Sequence, residues 1–247
     1  MKRTLIAVVA FLTAAAARAE TLSVAVAANM APAMEDIRQG FRAETGVELA
    51  LTPGASGKFA AQIANGAPFD LFVSADMDYP RKLFKDGLAA GQPERYAVGS
   101  LILWTLKDVD LSKGLAALTE PSFKKIAVAD PQTAPYGRQA VAALKAAGLY
   151  AQVSGKLVYG ESLAQADQFV ASQAADAGLV ARSIVETRPW KGKGRWVEVD
   201  RRFYEPIEQG LVVLKPGADK RSARRLRDYI LGKKGRAILR RYGYGLP

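Results

Sequence analysis

Apolar and polar positions along this chain switch repeatedly between two periods. Residues 22–28 are a β-branched and alanine run without charge, which predicts a buried first strand. After Asn29-Met30-Ala31-Pro32 the period changes: Met34, Ile37 and Phe41 recur at helical spacing, and Thr45-Gly46 closes the segment. A second strand is predicted over residues 47–52. It stops at Pro53-Gly54, a small-residue turn follows, and Phe59 and Ile63 mark the apolar face of the next helix. A third strand over residues 71–75 leads to a helix over 79–85, stopped at Gly87. This alternation predicts an α/β fold with a parallel sheet.

Beyond another strand at residues 99–106 the alternation restarts. A short helix at 115–118 stops before Pro121, and a strand at 125–129 runs into Asp130-Pro131-Gln132-Thr133-Ala134-Pro135-Tyr136-Gly137. A helix carrying Val141 and Leu144 ends at Gly148. A strand at 156–159 then meets Gly160-Glu161-Ser162-Leu163, and Leu163, Ala166, Phe169 and Val170 mark a further helix. Short strands at 177–180 and 197–199, a last strand at 206–214 and two helices within 219–241 complete the chain.

Four times, then, a strand ends in a small or polar turn and a helix begins at once, at Asn29, Ser56, Tyr136 and Leu163. In parallel α/β sheets ligands sit beyond the carboxyl ends of the strands. The first N–H groups of a helix have no intrahelical partner, and the positive dipole end favours an anion. Ser56 falls where an N-cap belongs, and Gly57, without a Cβ, would let a ligand approach the backbone. The only carboxylates in these turns are Asp130 and Glu161, each set back from the helix start. Neutral donors aimed at one point suit a fully deprotonated oxyanion, because an extra O–H would find no acceptor. The pattern therefore predicts two α/β blocks facing a cleft for a small dianion.

Composition narrows the chemistry. The 247 residues contain no cysteine and no histidine. That excludes disulfides, Ser–His and Cys–His nucleophilic catalysis, imidazole proton shuttling and most transition-metal ligation. Met1-Lys2-Arg3, an apolar run over residues 4–17 and Ala17-Arg18-Ala19 read as a secretory signal over residues 1–19, cleaved after Ala19. The formal net charge is +11. The basic run from Arg221 to Arg241 holds a single aromatic, Tyr229, and reads as a solvated helix face, so no nucleic-acid partner is expected. Asp70, Asp76 and Asp78 read as strand-end and turn carboxylates rather than a metal site.

The same junctions carry a family resemblance. Ala27-Ala28-Asn29 followed by Ala33-Met34-Glu35-Asp36-Ile37, and Gly54-Ala55-Ser56-Gly57 followed by Gln62-Ile63, are its most specific pieces. Gly66-Ala67-Pro68 with Asp70-Leu71-Phe72-Val73-Ser74-Ala75-Asp76, then Ala129-Asp130-Pro131, and the closing Gly235-Arg236-Ala237-Ile238-Leu239-Arg240-Arg241-Tyr242-Gly243-Tyr244 follow in order. In these the chain resembles the periplasmic molybdate-binding proteins of ABC uptake systems across essentially the whole length after residue 19. The resemblance implies a two-lobed periplasmic binding protein of type II, each lobe a mostly parallel sheet flanked by helices. Residues 20–99 with 206–247 would form one lobe and 100–205 the other, hinged near 98–101 and 204–209. It implies molybdate, and usually tungstate, held by neutral hydrogen bonds and passed to a membrane permease by a monomeric, periplasmic carrier without a cofactor. Carried over residue by residue, the contacts are Asn29 and Ser56 through side chain and N–H with Ala28 adjacent, Tyr136, and the N–H of Leu163. Many members have serine at Asn29, valine at Leu163 and a tyrosine at Ala181; Tyr136 would supply that missing hydroxyl. The alternatives are the same fold binding sulfate or another tetrahedral oxyanion and, more distantly, an exported serine hydrolase using Ser56 with Lys58.

Overall fold

The computed structural model describes residues 20–247; the expected secretory signal lies outside the described residues. The first half of the chain forms β1 (Thr21–Ala27), α1 (Ala31–Thr45), β2 (Glu48–Gly54), α2 (Ser56–Ala64), β3 (Leu71–Val73), α3 (Asp78–Lys85), β4 (Glu94–Gly99) and β5 (Leu101–Thr105). The second half forms β6 (Ile126–Ala129), α4 (Pro135–Ala146), α5 (Tyr150–Val153), β7 (Leu157–Gly160), α6 (Leu163–Ala171), β8 (Ala177–Ala181) and α7 (Arg182–Val185). β9 (Arg195–Glu198), β10 (Ile207–Val213), α8 (Arg221–Leu231) and α9 (Lys233–Arg241) close the chain.

The strands make two five-stranded sheets, ordered β2-β1-β3-β10-β4 and β7-β6-β8-β5-β9. In the first, β1 pairs in parallel with β2 and β3, and β10 runs antiparallel between β3 and β4. In the second, β6 pairs in parallel with β7 and β8, and β5 runs antiparallel between β8 and β9. Each sheet is thus mostly parallel, and the two repeat one plan. The fourth place in each order belongs to the strand arriving from the other half of the molecule. Both crossovers lie side by side: Ser100 alone joins β4 to β5, and Tyr204, between β9 and β10, accepts the Leu101 N–H at its hydroxyl, 3.2 Å.

Why these segments form these elements is visible in β1. Its Leu22, Val24 and Val26 pack with Met34, Ile37 and Phe41 of α1 and with Leu226, Ile230 and Leu239 of the C-terminal helices. Ala25 faces the opposite layer, with Phe59, Ile63 and Phe72. Each large apolar side chain so buried contributes about 1.5–3 kcal/mol, more than a typical cap, so packing fixes where the helices lie. Helix α1 ends as its sequence predicts: Gly46 adopts φ 70° and its N–H bonds the Arg42 carbonyl.

One strand departs from the pattern read in sequence. β4 is a strand that the hydropathy pattern does not announce: Glu94 and Arg95 open it, and Arg95 pairs with Glu208 on β10. It lies at a sheet edge, where a charged start is tolerated. Trp104 is fully buried and meets Trp190 edge to face, whereas Trp196 is exposed beneath the Arg182 guanidinium.

Candidate functional site

Four parallel strands deliver their carboxyl ends straight into helix starts. β1 leads through a single 3-10 turn (Ala28–Met30) to α1, and β2 leads through Ala55 to α2. β6 leads through residues 130–134 to α4, and β7 through Glu161 and Ser162 to α6. The starts meet around one small cavity of about 10 Å³. Ala28, Asn29, Ser56, Tyr136 and Leu163 all line it, with Ala27, Gly54, Ala55, Ala75, Ala134 and Pro135 between them. No charged side chain belongs to this lining. As it stands it has room for about one water-sized centre, far too little for a nucleotide.

The polar groups around the cavity are wired as donors. Ser56 Oγ accepts the Ala75 N–H at 3.0 Å, which fills one of its two lone pairs and leaves its proton for a ligand. The residue is the first of α2 rather than its N-cap; Ala55 holds the extended cap conformation, without a side-chain bond. Leu163 is likewise the first residue of α6, and its N–H has no intrahelical acceptor. Asn29 differs from expectation. Its Nδ2 donates to Gln209 Oε1 at 2.8 Å and to the Tyr244 hydroxyl at 3.0 Å, which uses both amide hydrogens. The donor Asn29 retains is its main-chain N–H. Its carbonyl is occupied too, accepting from Tyr244 at 2.8 Å and from Ser183 Oγ at 3.0 Å. The turn therefore offers a ligand no main-chain acceptor at Asn29.

Tyr136 is fully buried, and its hydroxyl accepts Gln209 Nε2 at 3.2 Å. Burial pushes the phenols of Tyr96, Tyr136 and Tyr244 well above the usual tyrosine range, so all three stay protonated. Gln209, which joins Asn29 to Tyr136 beside the cavity, is a residue that the sequence reading passed over. A signal was present: a carboxamide beside Glu208 at the head of the run that becomes apolar at Leu211–Leu214.

Around the cavity the two halves of the molecule touch. Gly57 N–H donates to the Thr133 carbonyl at 2.9 Å, Lys58 pairs with Glu161 at 2.8 Å, and Arg138 pairs with Asp76 at 3.1 Å. This corrects two readings. The group brought close to Gly57 is Thr133 of the opposite lobe together with the Tyr79 ring, rather than a ligand. Lys58, tied to Glu161 across the cleft, is engaged away from Ser56, as a Ser–Lys pair would not be. Asp76 is raised above the usual carboxylate range, chiefly by burial and against the pull of its Tyr79 N–H bond and Arg138. Asp167 on α6 is raised well above that range by burial, and its Oδ1 has no partner. A larger hollow, about 410 Å³, opens on the crossover side and is lined by Asp76, Asp78, Glu205 and Glu208 with Arg81 and Arg138. Four carboxylates there outnumber two guanidinium groups, so the small uncharged cavity is the better seat for an anion.

Two mostly parallel α/β lobes, joined by a double crossover and closing helix starts around a small buried cavity, define a periplasmic-type solute-binding protein. The family model described as bacterial extracellular solute-binding protein matches residues 22–245. A molybdate-binding protein ModA of Azotobacter vinelandii is 42% identical over 248 residues, covering 100% of this chain and 98% of its own. One from Rhodobacter capsulatus is 37% identical over 243 residues, covering 98% and 94%. The solved periplasmic molybdate-binding protein of Azotobacter vinelandii superposes with TM-score 0.86 at 35% identity, over 92% of this chain and 99% of that one. The chain belongs to the bacterial extracellular solute-binding proteins, in the ModA group.

Proposed function

We infer that this protein captures molybdate outside the cytoplasm and delivers it to the permease of an ABC transporter; it is a carrier, not an enzyme. One observation carries the choice of ligand chemistry: a cavity lined by no charged side chain, at the meeting point of four helix starts. A dianion there is stabilised by partial charges and directed N–H and O–H groups, and a protonated oxyanion would bury an O–H without an acceptor. Ser56 and Tyr136 contribute hydroxyl protons, Asn29 and Leu163 contribute main-chain N–H groups, and Ala28 shapes the wall. Tyr136 takes the part of the tyrosine absent at Ala181. Tungstate, of the same shape and charge, is a second ligand.

The lobes comprise residues 20–99 with 206–247, and 100–205, and the paired crossovers act as the hinge. The carrier works as a monomer, released by cleavage after Ala19. A thermal-shift panel of molybdate, tungstate, sulfate and phosphate tests the reading. At a hundredfold excess over Kd a ligand stabilises by about 2.7 kcal/mol. A shift with molybdate and tungstate is expected; a shift with sulfate alone would move the assignment to the sulfate alternative.

A further inference from the structure

Gln209 touches both halves of the site. It is fully buried in β10, the strand that returns the chain from the second sheet to the first, two residues after that strand begins. Its Oε1 receives Asn29 Nδ2 and the Tyr96 hydroxyl, each at 2.8 Å, and its Nε2 donates to the Tyr136 hydroxyl at 3.2 Å. Asn29 and Tyr96 belong to the first sheet and its turn; Tyr136 belongs to the helix that follows β6 in the second. An amide suits this place because one end must accept and the other must donate. With Nε2–H filling a lone pair of the Tyr136 oxygen, the phenolic proton must go to another acceptor. With Oε1 taking one Asn29 hydrogen and Tyr244 the other, the Asn29 turn is held with its carboxamide facing away from any donor role toward a ligand.

We propose that Gln209 is a positioning residue that sets the hydrogen-bond polarity of the site, keeping the Tyr136 hydroxyl a donor toward the bound oxyanion and tying that polarity to lobe closure. This rests on the anion-binding reading above. The Gln209–Tyr136 bond bridges the two lobes, and through it closure and the orientation of a ligand donor become one event. A hydrocarbon at this position would free Tyr136 to turn its proton elsewhere. A carboxyl would keep the polarity only while protonated, when it carries one donor and one acceptor; ionised, it accepts only. The groups facing the position are the phenols of Tyr96 and Tyr136 and the Asn29 amide, with Tyr244 beyond them. Asp76 and Asp167 are the carboxylates whose charge reaches these phenols. None of these groups is a cation, so a carboxyl placed there is held protonated above its ordinary range.

The test titrates wild type, Gln209→Leu and Gln209→Glu with sodium molybdate by calorimetry at about pH 6.5 and about pH 9, either side of the range reached by buried carboxyls. Affinities are expressed relative to wild type at the same pH. Gln209→Leu is expected to lose about tenfold or more at both values, the worth of a hydrogen bond to a charged group. Gln209→Glu is expected within about threefold of wild type at the lower pH and about tenfold or more weaker at the higher. A Leu variant within about twofold of wild type, or a Glu variant whose ratio does not move with pH, overturns the proposal. If Gln209→Leu does not fold, the pH profile of Gln209→Glu decides alone. Failure of both to fold assigns Gln209 to core integrity and also overturns it. Wild type that binds no molybdate overturns the anion-binding reading instead, which separates the two failures.

Discussion

At Ser56 the hydroxyl oxygen already accepts the Ala75 N–H, and the proton is the group's contribution to a ligand. Ser56→Ala is expected to weaken molybdate binding by about 1–3 kcal/mol, read by calorimetry; unchanged affinity removes Ser56 from the site. Asp167 makes the opposite kind of case, a carboxyl with a buried, unpartnered oxygen. Its pKa in the fold lies above the unfolded value, so folding takes up a proton and the associated stability declines as pH rises through the folded value. Asp167→Asn is expected to melt higher than wild type near about pH 8, with the two curves converging near about pH 4. A difference independent of pH would contradict that assignment. At this scale the sequence was legible where residue type met a strand end: Ala28, Asn29, Ser56, Tyr136 and Leu163 do share one cavity. How each is wired was not. Gln209 lies far from Asn29 and Tyr136 along the chain, and no local pattern reveals that it takes one amide hydrogen of the former and fills a lone pair of the latter.

Among the elements, the start of α2 joins local structure to lobe closure. Gly57 carries the N–H that reaches Thr133, and a Cβ there would stand 2.9 Å from the Thr133 carbonyl and 2.5 Å from the Tyr79 hydroxyl. Alanine favours a helix over glycine by about 1 kcal/mol, which works against the Tyr79 contact inside the same lobe. Overpacking of this kind costs about 1–3 kcal/mol, and the share set by the Thr133 carbonyl falls on the closed form alone. Gly57→Ala is therefore expected to lose molybdate affinity, read by calorimetry; a variant binding as wild type would contradict it. Alternating periods made α1, α2, α4 and α6 legible because each has one apolar stripe against one sheet. β4 was not, since its pairing with β10 joins distant segments and its first two residues are charged.

For the whole molecule, the two sheets exchange one strand each, so both crossovers lie in a single double-stranded seam between lobes of the same plan. The charge is distributed unevenly. Residues 215–241 hold eleven Lys and Arg against Asp219 and Asp228, while the rest of the described chain is nearly balanced. Ser222 at the start of α8 bonds Glu20 at 2.6 Å, just ahead of β1, whereas the cavity lies at the other end of that strand. Seven residues at about 3.3 Å each put roughly 23 Å between them, about three Debye lengths in physiological salt. That end of the basic face lies too far away to hold the ligand, and directed hydrogen bonds are left to do so. The most direct measurement is a crystal structure of the molybdate complex. It should show oxygens met by Ser56, Tyr136 and the N–H groups of Asn29 and Leu163, with no charged side chain in hydrogen-bonding reach. Molybdate seated on an arginine or lysine, or bound away from these four residues, would contradict the central claim.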